Sequence, residues 1–203
     1  MDDATFLAGK LTALQSKGPQ PTKAYMLEIG IDRTGKKVLF GYKQYWVSPT
    51  FNQGTAHGEF LAWANGLIAK PIKGERMVVH SKPGQRKQTK MSFRCNELVY
   101  LLFKLDDSID WRFSVDGPAI SADGTSGGNA VFFAPKGAGE LMDRKRYAYA
   151  IADCPKGTSG GSGGDIEAYF NLHVDFLEGG EGDAYIPVVI DPDVRHPGGN
   201  GEP

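Results

Sequence analysis

Asn171, His173 and Asp175 alternate with Phe170, Leu172, Val174 and Phe176 near the end of this chain. Successive side chains of a strand point to opposite faces, so the three polar groups share one face. An imidazole and a carboxylate placed two residues apart can reach a single divalent cation. Asp183, Asp191 and His196 are the candidates for a further ligand. The plainer account is the wet face of a half-buried antiparallel strand.

A second set of residues suits anions. Lys70, Lys73, Arg76, Lys82, Arg86, Lys87, Lys90 and Arg94 face only Glu75 in the segment 70–94. Within it Lys82, Arg86, Lys87, Lys90 and Arg94 form the densest group, at the tip and return of an expected hairpin. Such a tip can follow a phosphate backbone or hold a nucleotide. No aromatic residue lies between Lys82 and Lys90, and base stacking on RNA calls for them. Lysines on a hairpin also serve simply to block edge-to-edge pairing.

The basic segment belongs to a wider split. Residues 1–105 carry 16 basic and 7 acidic side chains, and residues 106–203 carry 7 basic and 17 acidic, although the whole chain is formally −1. Glu178, Glu181, Asp183, Asp191 and Asp193 make an acidic stretch that complements the basic one. Contact between complementary patches of two copies gives rings or filaments, and electrostatic attraction would set their register.

Several chemistries lack their signatures. The chain has no Gly-x-Ser-x-Gly elbow, P-loop or His-Glu-x-x-His. Two cysteines and four scattered histidines give no zinc-ligand spacing. No cofactor motif is present. No apolar run approaches the ~20 residues that cross a bilayer, and the start lacks the pattern of a secretory signal. A cytoplasmic protein with free thiols is expected, without a membrane partner.

The elements that must position these residues are mostly strands. Residues 3–17 read as a short helix. Tyr25–Ile31 and Val38–Val47 read as a hairpin, and 55–69 as an amphipathic helix with Phe60, Trp63, Ala64, Leu67 and Ile68 on one face. From residue 76 onward strands alternate with polar turns and no helix is expected. The dense apolar run Leu98–Leu105 reads as a strand, although periodicity alone does not assign it. The expectation is an α+β, β-dominated protein. Residues 1–75 form a helix, hairpin, helix extension, as a lobe or a cover, and residues 76–203 form an antiparallel β-sandwich with a fraying tail.

Two resemblances bear on function. Asp110-Trp111-Arg112-Phe113, Phe132-Phe133, Tyr147-Ala148-Tyr149-Ala150-Ile151 and Ile190-Asp191-Pro192 resemble small bacterial β-sandwich proteins of the inclusion-body and DP-EP type. That implies an immunoglobulin-like or jelly-roll sandwich, no catalytic residues, and self-association. The opening hairpin and helix, with Asp32 at a strand end and Glu59 on the helix, resemble the start of ribonuclease H-like domains, which hold two metals for phosphoryl transfer. The third strand of that fold is missing here, and the strand at 76–80 ends in His80 rather than Asp. The leading expectation is a non-enzymatic protein that binds a protein partner or itself through its basic and acidic surfaces. The alternatives are a nucleic-acid or nucleotide binder using residues 82–90, and a metal-dependent enzyme using His173 and Asp175.

Overall fold

A computed structural model describes residues 20–32, 39–70, 92–94, 98–122, 131–133, 141–152, 166–177, 185–190 and 193–196. The expected helix at 3–17, the strand at 76–80 and the tip at 82–90 lie outside these residues.

The described chain is mostly strand, arranged in two sheets with one helix. The first sheet has the order β2-β1-β4-β8-β7, built from β1 (Ala24–Asp32), β2 (Leu39–Val47), β4 (Val99–Leu105), β7 (Val131–Phe133) and β8 (Tyr147–Ala152). The second runs β10-β9-β11-β3, from β3 (Ser92–Arg94), β9 (Ile166–Leu177), β10 (Tyr185–Ile190) and β11 (Asp193–His196). β5 (Trp111–Phe113) and β6 (Ile120–Ala122) also pair with β9. The helix, α1 (Ala56–Ala69), ends where the sequence places Lys70-Pro71.

Two apolar clusters divide the molecule into layers. Leu27, Ile29, Leu101, Phe103, Trp111, Phe113, Leu172 and Val174 meet between the sheets. Ala24, Met26, Tyr100, Leu102, Tyr149 and Ile151 project from the opposite face of the first sheet, onto Phe60 and Ala64 of α1. β4 therefore has protein on both faces, and all seven of its residues are buried. A strand covered on both faces needs no alternation, which is why Leu98–Leu105 carries no period of two. In the helix layer Phe60 stacks on Tyr100, with centroids 4.1 Å apart and planes 9° off parallel. Such a pair contributes about 0.5–1.5 kcal/mol beyond its buried area.

Strand direction corrects the expected architecture. β1 pairs with β2 antiparallel, as the hairpin reading requires, but its other edge runs parallel to β4. β11 is parallel to β3. The sheets are mixed rather than antiparallel, and the hairpin from the first 75 residues is built into the same sheet as strands from beyond Glu75. The intervening 66 residues from Asp32 to Val99, containing α1, form the long crossover that a parallel pair needs. The register of β9 continues from β10 into β11: Ile190 lies opposite Leu172, and Asp193 opposite Tyr169. His196, expected at the start of a fraying tail, is paired with Ile166.

Candidate functional site

Of the anion-binding candidates, Lys82, Arg86, Lys87 and Lys90 lie outside the described residues, and Arg94 ends β3. Of the acidic candidates, Glu178, Glu181, Asp183 and Asp191 lie outside them, and Asp193 begins β11. β3 and β11 are neighbours in one sheet, with Asp193 opposite Ser92 and Arg195 opposite Arg94. The end of the basic segment and the end of the acidic one thus meet within a single molecule. The pairing sets Arg94 beside another cation, Arg195, and not beside a carboxylate.

His173 and Asp175 are better defined. Both stand on the face of β9 turned away from the core, whose inward residues Leu172 and Val174 are fully buried. β5 places Arg112 opposite Asp175, and β6 places Ser121 opposite Asn171. Arg112 Nε donates to Asp175 Oδ2 at 3.3 Å, and the guanidinium lies 3.6 Å over the ring of Tyr185 from β10. Asp175 is 6% exposed, so the carboxylate is enclosed, while the Arg112 side chain keeps 23% of its surface open. His173 Nε2 shares a 2.7 Å hydrogen bond with Ser121 Oγ. Burial lowers the His173 pKa, which favours the neutral imidazole. Each of the two expected metal ligands is therefore engaged with a different neighbour. Among the described residues no three His, Cys, Asp or Glu side chains stand together as a metal site.

A second polar row escaped the sequence reading. Glu28 of β1 lies opposite Lys104 of β4, which lies opposite Tyr147 of β8. Lys104 Nζ donates to Glu28 at 3.1 Å and to Asp107 at 2.6 Å. Burial alone would lower the Lys104 pKa, but its hydrogen bonds to the two carboxylates outweigh this and raise it. Burial raises the Tyr147 pKa. The signal was present: Lys104 is the one charge in the run from Val99 to Leu105. A lysine enclosed in apolar sequence requires a carboxylate partner, but which one depends on the parallel pairing of β1 and β4.

Glu59, the helix carboxylate of the ribonuclease H resemblance, is committed to a local structural role. It accepts from Thr55 Oγ1 at 2.6 Å and from Asn52 Nδ2 and the Asn52 backbone N–H at 2.8 and 3.1 Å. These bonds lower its pKa, the Thr55 contact most. The network ties the chain before α1 to its first turn. His57, in the same turn, lies 3.4 Å from the Tyr100 hydroxyl through Nδ1.

No described helix is long and apolar enough to cross a membrane. No curated protein matches the chain. Among protein families, residues 41–199 match pNTSase1, described as "Predicted novel nucleotide synthetase". The match takes in most of β2, α1, the polar residues Asn171, His173 and Asp175 of β9 and the whole basic stretch 82–94. It overturns the resemblance to inclusion-body and DP-EP sandwiches. The aromatic pairs behind that resemblance include buried Trp111, Phe113, Tyr147 and Tyr149, residues that any well-packed sheet needs, so they carry little family information. It also overturns the expectation of a non-enzymatic, self-assembling protein: the chain belongs to the pNTSase1 family.

Proposed function

We propose that the protein binds a nucleotide and acts on it as a nucleotide synthetase. The observation that carries this reading is the family match across residues 41–199, more than three-quarters of the chain. The sequence supplies a compatible chemistry. Lys82, Arg86, Lys87, Lys90 and Arg94 all fall within the matched residues, and clustered cations suit a polyphosphate. A free nucleotide fits this stretch better than a single-stranded nucleic acid, because no aromatics are interleaved with its charges.

Titration calorimetry of the full chain with ATP and with GTP, each with magnesium, tests the proposal. Binding of at least one is expected, and Lys87→Glu with Lys90→Glu should weaken it by about tenfold or more, since a charge-assisted hydrogen bond is worth about 1.5–3 kcal/mol. No binding of either nucleotide by the parent protein contradicts the reading. Binding that the double substitution leaves unchanged removes the basic stretch from it.

A further inference from the structure

We propose that the outward face of β9, with its neighbours β5, β6 and β10, seats the nucleotide, its base on the strip Tyr185, Pro187 and Val189 and a phosphate on Arg112. This rests on the nucleotide reading above and names a place for the ligand within it.

The strip follows from register. Pro187 lies opposite Asp175 and Val189 opposite His173, while Tyr185 lies opposite Leu177. Residues opposite one another share a face, so three apolar or aromatic side chains line the same face as His173 and Asp175. Val189 is 57% exposed. A solvent-facing strand normally presents polar residues there, and an exposed apolar strip beside hydrogen-bonding groups is the composition of a small-molecule seat.

Arg112 brings the charge. Its Nε is held by Asp175 and its plane by Tyr185, so the side chain is fixed before any ligand arrives. Guanidinium has five N–H donors. Among the described residues the terminal nitrogens make no hydrogen bond, which leaves a fork suited to bidentate contact with a phosphate. Ser121 and His173 stand further along the same face as a bonded pair. Burial favours the uncharged imidazole, so the pair offers a neutral donor and acceptor to sugar hydroxyls. A second copy of the chain, docked on the same apolar strip, is the competing occupant.

The test uses the full chain, with calorimetry on ATP and GTP in the presence of magnesium. Arg112→Lys keeps a cation beside Asp175 but loses the planar fork. Val189→Glu alters an exposed side chain and should leave folding intact. Each should raise the Kd about tenfold or more, and a light-activated azido analogue of ATP should label the peptide containing residues 185–190 in the parent protein. Unchanged affinity in both variants, or labelling confined to other peptides, overturns the seat while leaving the nucleotide reading intact. A protein that binds neither nucleotide overturns both. If Val189→Glu dissociates an oligomer and leaves the Kd alone, the strip is a contact between copies and the seat is overturned.

Discussion

His173 shows how one residue can be legible in sequence and its role not. The period of two placed it with Asp175 on one face of β9, and the structure agrees. What the sequence did not reveal were the partners, because Ser121 and Arg112 come from strands 52 and 63 residues away in the chain. Arg112 in particular sits inside the Trp111-Arg112-Phe113 triplet, whose aromatics draw the eye to the core. The lowered pKa of His173 has a consequence for stability. Between the folded value and the ordinary value of 6.5, the unfolded chain binds more protons than the folded one. This contribution is present above about pH 6.5 and is lost as pH falls through the folded pKa. Urea unfolding at a series of pH values should show stability falling over that window, and His173→Gln should flatten the decline. An identical acid profile in the variant would contradict the burial account.

At the scale of elements, α1 was read almost residue for residue because its apolar face follows the helical period and Lys70-Pro71 marks its end. Its weakness is equally visible. A Cβ built on Gly66 meets nothing within 4 Å, so Gly66→Ala should raise stability by about 0.5–1 kcal/mol in chemical denaturation. A loss of stability would mean that α1 is not packed as described. β4 was harder, since a strand buried on both faces has the pattern of no particular element. The polar end of its row was invisible without the parallel pairing to β1. Lys104→Met would leave Glu28, 8% exposed, without this cation. The expected cost is roughly 2 kcal/mol, below the ~3–5 kcal/mol of a fully enclosed pair, because the Asp107 side chain is 63% exposed. Adding Glu28→Leu should recover most of that loss, measured as a double-mutant cycle. Equal and additive costs would show that the two residues do not act as a pair.

For the whole molecule, composition was enough for a β-dominated α+β protein but not for its order of strands. Nothing in residues 24–32 signals that they will run parallel to a strand that begins 67 positions after their last residue, Asp32. That long-range pairing depends on the crossover, not on local pattern. It has a direct consequence: β1 supplies Leu27 and Ile29 to one apolar cluster and Met26 to the other. A chain beginning at residue 48 should therefore lack a cooperative thermal transition, and a sharp one would show that the remaining strands fold alone. The charge split reads differently at this scale too. β3, which ends the basic segment, and β11 are neighbours in one sheet, and the proposed function assigns the basic stretch a nucleotide as its partner. The most direct test of that central claim is to incubate the full chain with the four ribonucleoside triphosphates and magnesium, and to follow pyrophosphate and nucleotide products by chromatography and mass spectrometry. The account predicts bound triphosphate converted to a new nucleotide product. Neither binding nor conversion of any of the four would contradict it.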